Sequence, residues 1–346
     1  MAVKAKEIAK MVGVSEATLS LVINAKPGIS DKTRTAVIQK LRELGYSHML
    51  KQDAVSGHSL SAADDKIIAF VLFKNRGELL GMNSFFPLIL DGLEIMARRY
   101  GYALHVISVE AEDIRSQIHY IHETRCQGFV LFATELHKDQ LQYFEDTGLP
   151  FVMLDNYFID KSICTVKVNN QQGIYLALRH LKENGHRKIG YLSSGLDINS
   201  FHERRMMAVN LALQMGLEDM QEYSFTIGYP NENAEIGMAR VLEEHEQYEL
   251  PTAFLADNDL VSAGAIRAAK DAGYKVPDDF SFVGYDDRPI CTVISPKLTT
   301  VQLPREQFGG AAIGQLINMI EFKSGSCFVT EVGGNLIVRD SVKKIG

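Results

Sequence analysis

The sequence predicts an α/β protein with a small all-helical head, on three observations. From residue 66 onward short β-branched or apolar runs alternate with amphipathic helical stretches, as a parallel sheet with crossover helices requires. Residues 1–46 instead carry apolar residues at helical spacing only, interrupted by turn residues. Charge divides along the same line. Residues 1–60 hold nine Lys and Arg against five Asp and Glu, a balance of +4, in a chain that is −7 overall, which leaves −11 for residues 61–346. Only the head should attract phosphate. At 346 residues the chain exceeds one ordinary core and suits a head plus two lobes of roughly 100–150 residues each.

In the head, Ala5, Ile8, Ala9 and Val12 fall at the spacing of one helix face, and Gly13 is free to take the left-handed geometry of a tight turn. Ser15 is placed to cap a second helix running through Ile23. In that helix Ala17, Leu19, Val22 and Ile23 are expected to face the first, leaving Glu16, Thr18, Ser20 and Leu21 outward as candidate base readers. The run Asn24-Ala25-Lys26-Pro27-Gly28 breaks this helix, Ser30 caps a third, and Val37, Leu41 and Leu44 close the core before Gly45-Tyr46. Lys4, Lys6, Lys10, Lys26, Lys32 and Arg34 are candidate phosphate contacts as a group, with a solvated surface as the plain reading of any single one.

In the body, strands are expected at 67–73, 103–108, 128–132 and 151–154, separated by helices near 86–100, 114–123 and 138–146. A second series begins near Val166, with a helix at 173–184, strands at 188–192, 224–227, 253–256 and 281–284, and helices near 203–215, 235–245 and 260–272. The pattern occurs twice, so two similar lobes should face each other across a cleft, with a ligand at the carboxyl ends of the strands. A polyhydroxylated ligand needs flat apolar surface for its C–H face and charged or amide groups for its hydroxyls, because a buried hydroxyl left unpaired costs roughly 1–3 kcal/mol. Phe85, Phe86, Asp155, Arg204, Asn258 and Asp286 offer that mixture, after expected strands or opening the next helix. Plain helix-face packing is the alternative for Phe85 and Phe86; helix capping or an interface is the alternative for Asp259 and Asp287.

Several classes are disfavoured. No apolar run approaches the roughly 20 residues needed to cross a bilayer, and the start Met-Ala-Val-Lys-Ala-Lys-Glu lacks the apolar core of a signal peptide, so no membrane partner and a cytoplasmic location are expected. Cys126, Cys164, Cys291 and Cys327 are scattered, without the close pairs a zinc or iron–sulfur site needs, and four reduced, partly buried thiols are expected. Nucleotide-binding glycine loops, a nucleophile elbow and a zinc-protease motif are all missing, so neither catalysis nor a cofactor is expected.

The run from Ile8 to Asn24, followed by Ile29-Ser30-Asp31-Lys32-Thr33-Arg34 and Leu44-Gly45-Tyr46, closely resembles the headpiece of the LacI family, the lactose- and purine-repressor-like regulators. The resemblance continues through Asn83-Ser84-Phe85-Phe86, Asn184-Gly185-His186-Arg187, the run from Asn258 to Ala265, Val276-Pro277-Asp278, Val283-Gly284-Tyr285-Asp286-Asp287 and Leu298-Thr299-Thr300-Val301. It implies a helix-turn-helix DNA-binding headpiece at 1–47, a hinge or linker at 48–65, and a two-lobed, periplasmic-binding-protein-like domain at 66–346 that binds effector and dimerises. Three crossings between lobes are then expected near 160, 290 and 325. They give lobe 1 as 66–160 and 291–324, lobe 2 as 161–290 and 325–346, and a helix at 307–322 returning to lobe 1. The implied DNA contacts are Lys4, Ser15, Glu16, Ala17, Thr18, Ser20, Leu21, Asn24 and Thr33, with Val55 where the family's minor-groove wedge is usually Leu. The implied effector contacts fall on the six cleft residues above, most firmly on Arg204, Asn258 and Asp286.

The chain departs from the family pattern in places. Leu21 stands where Arg is frequent, which replaces a guanine donor by an apolar contact for a thymine methyl. His48-Met49 replaces the usual Pro-Asn and the linker is longer, so a plain tether without base contact is the alternative there. Ser84 stands where Pro is usual. Arg204-Arg205-Met206-Met207-Ala208 lacks the family's Gly-aromatic, which leaves the effector open. The expected function is a ligand-responsive transcriptional regulator, a repressor, that binds a pseudo-palindromic operator in double-stranded DNA as a homodimer under control of a sugar in the cleft. Ending at Gly346 without a heptad tail, the chain suits a dimer. The alternatives are a purine or phosphometabolite co-repressor, or a ligand-binding protein that does not bind DNA.

Overall fold

Helix α1 (Ala5–Val12) and helix α2 (Glu16–Ile23) form the head with the start of a third helical segment. Ile8, Ala9 and Val12 pack against Leu19 and Val22, and Val37 and Leu41 complete the same core. Gly13 makes the turn at φ 83°, a conformation that costs a residue with a Cβ. The Ser15 hydroxyl accepts from the Thr18 amide at 3.1 Å and caps α2, and Ser30 repeats the arrangement with the Thr33 amide at 3.2 Å. Ala17 corrects an expectation, because it is exposed rather than turned to α1. With about 3.6 residues per turn, Leu19 and Val22 fill the inner face and Ala17 falls outside it. The computed structural model describes residues 5–24, 26, 28–30, 33, 36–38, 40–41, 66–75, 86–244, 249–322 and 326–345. The expected hinge at 48–65 with Val55, and also Lys4 and Phe85, lie outside the described residues, as does the side chain of Phe86.

The body, treated by itself, holds two six-stranded sheets. Lobe 1 begins with β1 (Ile67–Lys74), α3 (Phe86–Arg99), β2 (Ala103–Glu110), β3 (Phe129–Phe132), β4 (Phe151–Leu154) and β5 (Thr165–Val168). The lobe 2 elements are α4 (Asn170–Glu183), β6 (Ile189–Ser193), α5 (Asn199–Gln214), β7 (Ser224–Thr226), α6 (Asn231–Glu244), β8 (Ala253–Ala256), α7 (Asp259–Asp271), β9 (Ser281–Asp286) and β10 (Thr299–Gln302). The chain closes with α8 (Arg305–Phe322), β11 (Val329–Val332) and β12 (Asn335–Ile337). The sheet orders are β11-β5-β4-β3-β1-β2 and β12-β10-β9-β8-β6-β7, parallel throughout except for β12 on β10. β3, β4, β8 and β9 are buried along their whole length, as parallel strands covered on both faces must be.

The crossings between lobes come later than expected. They fall at 169, at 303–304 and at 333–334, because β5 pairs with β4, β10 with β9, and β11 with β5. Residues 165–168 and 329–332 thus belong to lobe 1 and residues 299–302 to lobe 2, correcting the boundaries drawn near 160, 290 and 325. Four-residue strands show no period that tells which sheet they will join; the choice falls to whichever sheet edge is open. Helix α8 does return to lobe 1, against α3 and β4. Glycine permits that approach, since a Cβ at Gly92 would overlap the Glu306 carbonyl and one at Gly309 the Ile89 carbonyl.

Candidate functional site

The carboxyl ends of β4, β8 and β9 bring Asp155, Asp257, Asn258 and Asp286 to the facing edges of the two lobes. Asp155 (φ 66°), Asp286 (φ 103°) and Asp287 (φ 52°) all adopt left-handed backbone. Such strain is held only where the surrounding structure over-determines it, and it concentrates at ligand sites. Helix α5 begins at Asn199, four residues ahead of the expected start, which carries Arg204 into its second turn.

Arg204 is the centre of this cluster and only 3 % exposed. Its Nε donates to Asn170 Oδ1 at 2.9 Å, one terminal nitrogen donates to the Asp257 carbonyl at 2.6 Å, and the other lies 3.5 Å from Asp286 Oδ1. Its guanidinium stacks 3.7 Å from the Tyr285 ring centroid. Gly173 makes room for that ring, because a Cβ there would overlap the Tyr285 hydroxyl end. Burial opposes the Arg204 charge, but the carboxylate of Asp286, with Tyr285, Tyr191 and Asp155 around it, outweighs burial and raises the guanidinium pKa. Arg288 Nε lies 3.4 Å from the second Asp286 oxygen, and Arg305 donates to the Asp286 carbonyl.

Asn258 is fully buried and caps α7, with Oδ1 accepting from the amides of Leu260 and Val261 at 3.1 Å each. Its Nδ2 has no hydrogen-bond partner among the described residues, and neither has the Tyr285 hydroxyl. A buried donor left this way costs about 1–3 kcal/mol unless something else accepts from it. Asp155 accepts from Thr134 at 2.6 Å and, across the cleft, from Ser200 at 3.4 Å; burial pushes its carboxyl up to about 6. Further bonds cross between lobes. Asn199 Nδ2 donates to Asn156 Oδ1 at 2.5 Å and to the Tyr157 carbonyl at 2.9 Å, and Lys167 pairs with Glu203 at 2.7 Å. Asp155, Arg204, Asn258 and Asp286 are thus together in one buried polar cluster, and closure of the lobes is held by bonds to the first two turns of α5.

Sequence reasoning passed over Asp257 and half of what surrounds it. Its carboxylate accepts from the Tyr191 hydroxyl at 2.7 Å and from the Ser194 amide and hydroxyl at 2.6 and 2.7 Å, while burial raises its pKa. A carboxylate directly after the apolar run 253–256 was the available signal. Asp259 accepts from Thr300 at 2.5 Å and from the Arg288 amide at 2.7 Å, and burial, with Asp286 nearby, lifts it to about 7. Asp287 is bonded to Arg339 at 2.6 Å and Gln302 at 2.7 Å. Both carboxylates spend their oxygens inside lobe 2.

On α2, Glu16, Ala17 and Ser20 are exposed, and Leu21 and Asn24 are half-buried. Ala17, Ser20, Leu21 and Asn24 fall at i, i+3, i+4 and i+7, so they share one stripe of the helix. Asn24 Nδ2 donates to the Ser20 carbonyl at 3.0 Å. Ser15 shares its hydroxyl between the cap and the Thr18 hydroxyl at 2.8 Å, and Thr33 is likewise bonded to Ser30 at 2.8 Å. Glu16, Ala17 and Ser20 present side chains outward; Ser15, Thr18 and Thr33 are drawn into helix starts. Among the described residues no group of three or more His, Cys, Asp or Glu is arranged to hold a metal, and no helix is long and apolar enough to cross a membrane.

Comparison with known proteins places both parts. Residues 4–48 match the family described as bacterial regulatory proteins, lacI family, and residues 178–342 match a periplasmic binding protein-like domain. The chain is 29 % identical to the HTH-type transcriptional repressor PurR of Mannheimia succiniciproducens, over 98 % of each chain. It is 28 % identical to the repressor of the same name from Aliivibrio salmonicida, over 98 % of this chain and 99 % of that one. Among solved structures, a complex of the transcriptional regulator CelR with cellobiose superposes with a TM-score of 0.72 at 22 % identity, covering 98 % of this chain and all (100 %) of that one. The lac repressor dimer bound to operator and the anti-inducer ONPF gives 0.69 at 21 % identity, covering 99 % and 100 %. Those two share the fold: a helical head and parallel sheets flanked by helices. With its lacI-type helix-turn-helix head and its periplasmic-binding-protein-like body, the chain belongs to the LacI family and is a DNA-binding transcriptional regulator, not an enzyme.

Proposed function

We propose that the protein is a repressor that binds a pseudo-palindromic operator as a homodimer and responds to a polyhydroxylated ligand, a sugar, held between its lobes. The observation that carries the ligand reading is the pairing of a braced, aromatic-stacked Arg204 with the buried and unpartnered Asn258 Nδ2. Hydroxyl groups accept from an amide and a guanidinium and donate to carboxylates such as Asp155 and Asp286, so one ligand can satisfy all four residues. Asn199, Ser200 and Glu203 bond across the cleft, so a ligand that enters there competes with or reinforces closure. That is the differential contact a population shift requires. For DNA, the stripe formed by Ala17, Ser20, Leu21 and Asn24, with Glu16 beside it, supports a role in base reading, and Lys4 and Val55 remain part of the proposed contact set.

A purine-class ligand is the second reading, and the observation that favours it is the whole-length similarity to repressors named PurR. One experiment separates the two. Purified protein is selected against a randomised duplex pool alone and with panels of sugars and nucleobases, and the bound DNA is sequenced. A pseudo-palindrome that is lost or strengthened by a sugar supports the first reading. Response to a purine alone moves the assignment to the second, and absence of any enriched sequence overturns the operator reading.

A further inference from the structure

Two of the four cysteines meet where β11 joins β5. Parallel register sets Val329 beside Thr165, and the Thr165 amide donates to the Phe328 carbonyl at 2.9 Å. The residues leading into both strands are therefore drawn together. Cys327 Sγ lies 3.0 Å from the Ser162 carbonyl oxygen, and Cys164 Sγ lies 3.8 Å from the Ser326 carbonyl oxygen. Each thiol thus reaches the backbone of the other's segment. Their settings differ, since Cys164 is buried and Cys327 exposed. Cys126 and Cys291 are buried in two separate cores, away from this junction.

We propose that Cys164 and Cys327 are a modification site, a thiol pair that closes to an intrachain disulfide when a peroxide reaches Cys327. The exposed Cys327 thiolate attacks one peroxide oxygen. The O–O bond breaks, a sulfenic acid forms, and the departing hydroxide takes a proton to become water. Cys164 sulfur then attacks the Cys327 sulfur. The S–O bond breaks, the S–S bond forms, and the Cys164 proton leaves with the hydroxyl as a second water. Two thiols are oxidised by two electrons in all, and one peroxide is reduced to two waters. Burial, chiefly, raises the Cys164 pKa and holds it as a thiol, which leaves the first attack to the exposed partner. The cross-link joins the amino ends of the two lobe 1 strands whose carboxyl ends lead into the crossings at 169 and 333–334.

The test uses the full-length protein and hydrogen peroxide. After treatment, free thiols are alkylated under denaturing conditions and peptides are mapped without reduction. A 164–327 cross-link within one chain is expected, reversed by dithiothreitol, with Cys126 and Cys291 still alkylated. Cys164→Ser should leave Cys327 as a sulfenic acid captured by dimedone, and Cys327→Ser should leave Cys164 unoxidised. A cross-link only between chains, oxidation of Cys327 to the sulfinic acid without pairing, or recovery of both thiols unchanged would overturn the assignment. The wild-type map decides this even if a variant fails to fold.

Discussion

The exposed face of α2 and the cleft between the lobes hold polar residues under opposite conditions. Glu16 and Ser20 stand in water, where a hydroxyl or carboxylate costs nothing to keep and acquires meaning only when a partner docks. Asp155, Arg204, Asn258 and Asp286 are each less than a tenth exposed, and nearly every polar atom there already has a protein partner. Substitutions on α2 should therefore change binding without changing stability. In the cleft the two are entangled, and only variants that keep the internal bonds can isolate ligand contact.

The sharpest way to break this contrast is Arg204→Ala. It takes from the buried Asp286 carboxylate one of the guanidinium groups beside it, leaving Arg288, and removes the donors to Asn170 and the Asp257 carbonyl, which should cost about 3–5 kcal/mol in denaturant unfolding. A loss below about 1 kcal/mol would mean that Arg204 serves the ligand and not the fold. A second test is pH. The folded-state pKa of Asp259 is raised from its ordinary 3.8 to about 7, mainly by burial, so the folded chain binds the extra proton between those values. That contribution to stability is complete below the ordinary value and is lost as pH rises through the folded one. Asp155, raised to about 6, acts in the same direction. Asp259→Asn should flatten the fall in melting temperature across that window, and an unchanged profile would show that Asp259 stays ionised.

On the exposed side, Ser20→Ala should reduce discrimination between operator and mismatched duplex by about 1–3 kcal/mol with no change in melting temperature. Equal weakening on random DNA would remove Ser20 from base reading. The finest test splits the two roles of Asn258. Asn258→Ala loses the α7 cap at about 1 kcal/mol, whereas Asn258→Asp keeps an oxygen to accept from Leu260 and Val261 but has no amide donor. If calorimetry shows ligand binding unaltered in Asn258→Asp, the unpartnered Nδ2 is not a ligand contact.

Much of the architecture was legible because it rests on local signals. Apolar spacing in 5–12 and 16–23, Ser15 and Ser30 at caps, and continuous apolar runs at 129–132 and 253–256 each act within a few residues of themselves. β5, β10, β11 and β12 were not legible. Three or four residues long, they become strands by pairing with an edge supplied from elsewhere in the chain. The same limit separates the cleft residues: Asp155 and Asp286 follow recognisable strands, whereas Asn170, Asn199 and Glu203 acquire roles only when α4 and α5 meet the end of β4 and β5.

The amino-acid order alone dictates a basic helical head, an acidic body with the α/β pattern twice over, and a set of polar residues after strands, because periodicity, capping and charge are properties of neighbours in the chain. Tertiary structure decides where the chain changes lobes, which oxygens of Asp257, Asp259 and Asp287 are already spent, and that the Asn258 amide nitrogen has no partner among the described residues. Those outcomes depend on groups far apart in sequence. Burial makes each of them count, since a polar atom withdrawn from water must find its partner within the fold or in a ligand.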